Sequence, residues 1–329
     1  MESTTVTTSE EQVIATPPHA TAGEVLLRRI RFVCAIAVAA AIFWHVGWRV
    51  VRPFDPDGPV SLLMVDQGVI AMAQLLGLAV ITSGLAVAIC GPGSADRGPL
   101  AIAIGLATLG LRGSELDKLI MYRLFPPSTV RLPVDPFPTT ALMAECWLWL
   151  ALIAVGFVVG HWVDSWFGPP ADRRATAQNA PSRRTTGERS ADVGYSAGAV
   201  IVASLAAWAA LSFTLDSNRE PILKGQVYFG VGVSFLLGGL IAHGFFKTGS
   251  RMWSLVLVAV VASLAYVLGG PSAKSIEHAR TTGTYLNLNP LARPLPLEYA
   301  ALGALGALWE RDWMRLLRAL FGLSSDDRA

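Results

Sequence analysis

The chain has 329 residues, of which 53% are hydrophobic and 15% are charged, and its formal net charge is +2. Soluble domains carry about 25% charged residues, and a soluble fold could not bury this much apolar surface, so the composition indicates an integral membrane protein. The small net charge, spread over Lys and Arg residues in many loops, gives no indication of a nucleic-acid partner.

The first half of the chain combines a polar tail with four apolar segments. Residues 1–27 are polar and rich in Thr, and this composition predicts a disordered cytoplasmic tail. A helix that crosses a bilayer needs about 20 apolar residues. The segments closest to this length are 32–51, 61–90, 100–111 and 140–163. The third is short, so it can cross only if Arg97 and Arg112 snorkel at its two ends.

A short amphipathic helix is predicted between the third and fourth segments, on the outer membrane surface. Its apolar residues recur at helical spacing, and they are Leu116, Leu119, Ile120 and Leu124. Ser114, followed three residues later by Asp117, resembles a capping box and predicts where this helix begins.

The second half of the chain repeats the pattern of four apolar segments after a polar linker. Residues 164–192 contain Arg pairs, Pro, Ser, Thr and Gln, which predicts a flexible cytoplasmic linker. The four segments that follow are 197–215, 227–246, 252–268 and 297–309, and a C-terminal tail covers 320–329. The sequence thus predicts an all-α polytopic bundle of about eight transmembrane helices.

The two halves, residues 28–163 and 193–319, share a local pattern that is consistent with an internal repeat. In each half a Pro-x-Pro sequence precedes the fourth helix, as Pro136-Phe137-Pro138 and as Pro294-Leu295-Pro296. A glutamate follows near the start of that helix, Glu145 in one half and Glu298 in the other. Four crossings in each half would make this a parallel repeat. Pro also precedes many helices for backbone reasons alone.

The distribution of basic residues predicts that both termini are cytoplasmic. Lys and Arg are concentrated in the segments that lie inside if the N-terminus is inside, and short cytoplasmic loops are enriched in these residues. Tryptophans at the ends of the segments agree with this layout, because indoles prefer the membrane interface. We expect a multi-pass protein of a bacterial-type inner membrane.

Ionisable residues inside the spans are the functional candidates, because they are costly in lipid. Glu145, beside Trp147 and Trp149, is a candidate for proton transfer or cation binding, or for pairing with Arg112 or Arg131. Weaker candidates are Asp66, His45, His161 and His243. A His161–His243 pair could ligate haem or a metal, but neither has a metal-ligand spacing, so the sequence predicts no metal and no cofactor.

The first segment resembles the opening helix of membrane acyltransferases that modify surface sugars. Those helices start with an Arg and end in an aromatic-His pair, as Arg31 and Trp44-His45 do here. The resemblance implies that His45 would be the general base of a membrane-embedded transferase. It covers about 15 residues, and its Arg-to-His interval is about one turn longer than in that family, so we do not assign the chain to it.

Small residues are frequent in the spans, and they allow helix backbones to approach closely in lipid. The residues that we expect at helix contacts are Gly156, Gly160, Gly238, Gly239, Gly303 and Gly306. They favour a non-enzymatic membrane subunit or scaffold that has the bilayer and another membrane protein, or a second copy, as partners. The repeat pattern and Glu145 are consistent with an alternative, a small-solute or lipid transporter. His45 or Glu145 would serve a second alternative, a membrane-embedded transferase.

Overall fold

The computed structural model describes residues 22–53, 55, 57–65, 67–125, 137–167, 186–215, 223–246, 252–284, 286 and 288–320. Helix accounts for 85% of the structure, and no strand occurs in the part of the chain that it describes. The all-α class predicted from the sequence is therefore confirmed.

Six helices form the part of the bundle before the linker. They are α1 (Ala22–Ile42), α2 (Trp48–Val51), α3 (Gly68–Cys90), α4 (Arg97–Arg112), α5 (Leu116–Leu124) and α6 (Thr139–Phe167). A π-helical turn, Phe43–Gly47, joins α1 to α2, and a 3-10 turn, Leu62–Met64, precedes α3. Each predicted apolar segment of this half is therefore largely helical.

Five helices follow the linker. They are α7 (Thr186–Leu215), α8 (Lys224–Phe245), α9 (Met252–Gly269), α10 (Ala273–Thr282) and α11 (Pro296–Leu320). The sequence analysis did not predict α10, which begins where the Ser272 hydroxyl accepts a hydrogen bond from Ser275 N at 3.2 Å. The helices α6 and α7 extend into the predicted linker, whose residues 168–185 lie outside the described part of the chain.

Five helical segments are long and apolar enough to cross a membrane. They are Gly68–Cys90, Thr139–Phe167, Gly194–Leu215, Lys224–Phe245 and Met252–Gly269. These segments support an integral membrane protein. The other three predicted spans coincide with α1 and α2, with the 16-residue α4 and with α11, which do not meet the same standard of length and apolarity.

The helices α4 and α11 lie at the centre of the bundle. Helix α4 contacts α1, α3, α6 and α11, and α11 contacts α4, α6, α8 and α9. Residues 98–110 are buried except for Ile104 and Thr108, which are partly buried, and residues 291–308 are buried except for the partly buried Leu305. These two helices need fewer apolar residues because other helices, rather than lipid, surround them.

The two ends of the bundle carry different elements. We call the end where α1 begins the N-terminal face, and there Arg97 of α4 pairs with Asp312 of α11. At the opposite face Arg112, which ends α4, donates a hydrogen bond to Trp44 O at 2.7 Å. The ends of α1 and α4 therefore coincide, so these helices run in the same direction.

The helix α5 differs from its prediction in two respects. Its residues Leu116, Leu119 and Ile120 belong to the main hydrophobic core and are at most 2% exposed. The helix therefore packs against the bundle, whereas the sequence analysis placed it on the outer membrane surface. The predicted capping box is also wrong, because Glu115 is the N-cap and no side chain caps this helix.

Candidate functional site

Glu145 lies in the second turn of α6 and is only 2% exposed. Its carboxylate accepts hydrogen bonds from Ser61 Oγ and from Leu62 N, both at 2.7 Å. Trp149, one turn further along α6, donates its indole N–H to the same carboxylate at 3.1 Å. Both carboxylate oxygens thus have donors from the segment before α3 or from α6 itself.

The partners of Glu145 differ from the arginines that the sequence suggested. Arg112 is engaged with Trp44, since its guanidinium lies 5.1 Å from the centroid of that ring and also donates to the carbonyl. Arg131 lies outside the described residues. Arg123 of α5, which is 5% exposed, is close enough to act electrostatically on Glu145. The carboxylate therefore anchors the segment before α3 to α6. The arginine that acts on it belongs to α5, which the sequence analysis placed on the outer membrane surface.

Glu298 forms a second buried carboxylate site, in the first turn of α11 as expected. It is 3% exposed, and its Oε2 accepts a hydrogen bond from Leu295 N at 2.9 Å. Its Oε1 lies 3.6 Å from Nζ of Lys224, the first residue of α8. Lys224 also donates to the carbonyls of Gly113 and Ser114 after α4, so this ion pair joins α11, α8 and the end of α4.

Two buried tyrosines lie among the same helices. Tyr266 of α9 and Tyr299 of α11 contact each other edge to face, with ring centroids 5.8 Å apart. The Tyr266 hydroxyl donates to Pro294 O at 2.7 Å, and the Tyr299 hydroxyl donates to Leu291 O. Their polar ends thus hold the segment before α11. Sequence reasoning missed this cluster and Lys224, because no sequence motif links these tyrosines to the carbonyls they bind, or Lys224 to Glu298.

The histidine candidates are not brought together. His45, in the π-helical turn, and His161, near the end of α6, are exposed. His243 is partly buried on α8 and borders a cavity of about 30 Å³ with Glu310 and Trp253. The helices α6 and α8 are not principal neighbours in the bundle. Within the described residues no group of three His, Cys, Asp or Glu side chains is placed to hold a metal ion, and Asp66 lies outside them.

The six glycines singled out from the sequence are buried and lie at close helix contacts. A Cβ on Gly156 would be 2.7 Å from Pro99 Cα, one on Gly238 would be 2.6 Å from Ala203 O, and one on Gly303 would be 2.8 Å from Val258 Cγ1. A Cβ on Gly160, Gly239 or Gly306 would collide with Ala95 O, with the Glu310 carboxylate and with Gly232 O, respectively. At Gly156, Gly238 and Gly306 the clash is with the backbone of a neighbouring helix, at Gly160 it is with the backbone of the loop after α3, and at Gly239 and Gly303 it is with a side chain.

Comparisons with protein-family models, with curated proteins and with solved structures found no match to this chain.

Proposed function

We propose that this protein is a non-enzymatic membrane subunit or scaffold, and that another transmembrane helix packs on the outward face of α3. The observation that supports the proposal is the exposed side-chain amide of Gln74, which is unpartnered within the described part of the chain. This residue is exposed on α3, about 9 Å along the helix axis from Gly68. Its side-chain amide has no hydrogen-bond partner among the described residues. An amide at that depth in hydrocarbon is unfavourable unless a partner helix supplies a hydrogen bond.

The surface around Gln74 is shaped for close helix contact. Gly77 lies on the same outward face, and a Cβ there would meet nothing within 4 Å. Ala73, next to Gln74, is also exposed. Small residues at a spacing of four allow two backbones to approach, and a polar side chain beside them adds a hydrogen bond. The glycines inside the bundle already have partners, whereas this surface has none within the described residues.

The interior of the bundle supports a structural role for its buried acids. Glu145 uses both oxygens to bind the segment before α3, and Glu298 is joined to Lys224. Backbone contacts at Gly156 and Gly306 bring the central helices close together. A carboxylate that carries protons or cations needs access to water or substrate, and Glu145 borders none of the three cavities described for this protein.

We further propose that the chain crosses the membrane eight times and that its helices form two related halves. In the first, α1 contacts α3 and α4, and both of these contact α6. In the second, α7 contacts α8 and α9, and both of these contact α11. The contacts between halves also correspond, since α6 meets α9 and α11 meets α4, but the principal contact between α3 and α4 has no counterpart between α8 and α9. This correspondence supports a parallel repeat, and the arginines at the N-terminal face support cytoplasmic termini in a bacterial-type inner membrane.

The experiment is native mass spectrometry of the protein extracted gently from its own membrane. We expect a stoichiometric complex with another membrane protein or with a second copy. Gln74→Leu and Gly77→Leu should each dissociate it without lowering the melting temperature of the isolated chain. Ala209→Leu, a similar enlargement on the outward face of α7, is the control and should leave the complex intact. A chain that is always monomeric, with or without these changes, would rule out the proposal.

A small-solute or lipid transporter is the second candidate, and the matching contact pattern of the two halves is what favours it. Inward and outward forms of a repeat protein interconvert when the halves rock against each other. Transport in proteoliposomes that Glu145→Gln abolishes, with no change in melting temperature, would support this alternative. Loss of stability without any transport to abolish would favour the scaffold.

A further inference from the structure

A cavity at the N-terminal face is unlike the other two in its charge. It has a volume of about 860 Å³ and lies between the start of α1, the loop after α3, the start of α4 and the later part of α11. Its charged lining residues are Arg28, Arg29, Arg31, Arg97 and Asp312. Four arginines against one aspartate leave this cavity with an excess of three positive charges.

Three of these arginines are available to a ligand. Arg28, Arg29 and Arg31 are exposed, and they have no carboxylate partner among the described residues. Their guanidinium groups can each present two parallel N–H donors to a phosphate group. Because they lie within one turn of α1, their positive charges repel one another, and an anion between them would relieve that repulsion.

The inner wall of the cavity is held in place by other contacts. The Arg97–Asp312 ion pair, 3.0 Å long, joins α4 to α11, and the Arg97 guanidinium lies 4.5 Å from the centroid of the Phe32 ring. The loop after α3 is tied to α6, because Asp164 Oδ1 accepts hydrogen bonds from Gly93 N at 2.7 Å and Ser94 N at 3.3 Å. The inner wall of the cavity, beneath the exposed arginines, is therefore fixed by contacts between helices.

The surroundings of the cavity match the boundary between lipid headgroups and acyl chains. Val25 borders it and is 42% exposed, and the neighbouring Leu26 and Ile30 are at least 50% exposed. Trp309, a residue type that prefers the membrane interface, is also in the lining. A soluble phosphate would use only the arginines, whereas a phospholipid would also cover these apolar side chains.

We propose that this cavity binds the phosphate headgroup of an anionic phospholipid. The exposed arginines would contact the phosphate, and the apolar side chains around the cavity would contact the acyl chains. The fixed inner wall keeps the two parts of the site in place. Basic pockets between transmembrane helices on the cytoplasmic side are suited to headgroups of this kind. A lipid with two phosphates, such as a diphosphatidylglycerol, fits the number of arginines better than a lipid with one.

The opposite face offers a contrast within the same protein. A cavity of about 570 Å³ there is also lined by two arginines, Arg52 and Arg112. Arg112 is already used, since it lies 4.4 Å from the centroid of the Trp48 ring and donates to Trp44 O. This cavity therefore has less positive charge to offer, and we do not expect it to select anionic lipid.

The test is native mass spectrometry of the full chain, delipidated and titrated with diphosphatidylglycerol, phosphatidylcholine or inorganic phosphate. We expect diphosphatidylglycerol to bind about tenfold more tightly than phosphatidylcholine, and Arg28→Gln with Arg29→Gln to remove that preference, since each exchange loses a charge-assisted contact. The control, Arg49→Gln with Lys274→Gln, removes two exposed charges elsewhere and should leave the preference unchanged.

A second double variant separates lipid binding from membrane topology, which also depends on arginines. Arg28→Lys with Arg29→Lys keeps the charge that sets orientation but loses the forked donors. We expect intermediate binding from it. Equal binding of both lipids to the unaltered chain, equal loss in the control pair, or binding of inorganic phosphate without diphosphatidylglycerol would each overturn the proposal.

Discussion

Glu145 on α6 and Glu298 on α11 are both almost fully buried, yet they are stabilised in different ways. The hydrogen-bond donors to Glu145 are uncharged and come from Ser61, Leu62 and Trp149, while Arg123 acts on it electrostatically. Glu298 has one backbone donor and the ammonium group of Lys224. Glu145 connects α6 to the segment before α3, and Glu298 connects α11 to the start of α8. One connection uses hydrogen bonds and the other uses a charge pair.

The difference determines what is left behind when one partner is removed. Loss of Glu298 would leave a buried positive charge, whereas loss of the charge on Glu145 would leave neutral donors short of an acceptor. An uncompensated buried charge is more destabilising than an unmade hydrogen bond.

Glu298→Leu should destabilise the protein by about 3–5 kcal/mol, because Lys224 would keep its charge without a carboxylate. The double variant Lys224→Met with Glu298→Leu should recover most of the loss, since a buried ion pair can be replaced by apolar groups of similar size. Equilibrium unfolding in mixed detergent micelles measures both. A double variant as unstable as the single one would contradict the assigned role of the ion pair.

Glu145→Gln should destabilise the protein by about 1–3 kcal/mol. The amide cannot reproduce both charge-assisted hydrogen bonds. Its oxygen can accept from Leu62 N, but its NH2 group then faces Ser61 Oγ, which has to turn and accept. Glu277→Gln on α10 is the matched control, because Glu277 is exposed, and its unfolding should be unchanged. If both exchanges had the same effect in the unfolding measurement, the hydrogen bonds to Glu145 would contribute nothing to stability.

Ser61→Ala should have the smallest effect, about 1 kcal/mol. It removes one donor to Glu145 and the oxygen that accepts from Leu63 N at 3.2 Å. Combined with Glu145→Gln, its effect should be less than additive, because the two residues share one contact. Ser212→Ala, which removes only a hydroxyl bonded within α7, is the control. Full additivity in thermal unfolding would show that Ser61 and Glu145 act independently.

The helical class and the positions of the helices could be predicted because apolar segments of helical length are a local property of the sequence. The segment predicted at 252–268 became α9, Met252–Gly269. The Leu62–Met64 turn also explains why the second segment was longer than one helix requires. The missed helix α10 has a polar sequence, so an apolarity criterion could not detect it.

Burial and partners could not be predicted, because they depend on which helices become neighbours. The segment at 297–309 was predicted as a span like the others, but most of it is among the most buried parts of the described structure. Local apolarity does not distinguish a helix that faces lipid from one that faces protein. The partners of Glu145 and Glu298 lie 84 and 74 residues away, and no local motif links them.

The central position of α11 has a consequence for how the protein is made. Of the described helices, α11 is the last to leave the ribosome, yet α4, α6, α8 and α9 all pack against it. Until α11 inserts, these four earlier helices lack a shared neighbour, and Lys224 lacks the carboxylate of Glu298. Assembly of the bundle is therefore completed only after α11 has been synthesised, and a nascent chain stalled before Pro296 would be a substrate for membrane quality control.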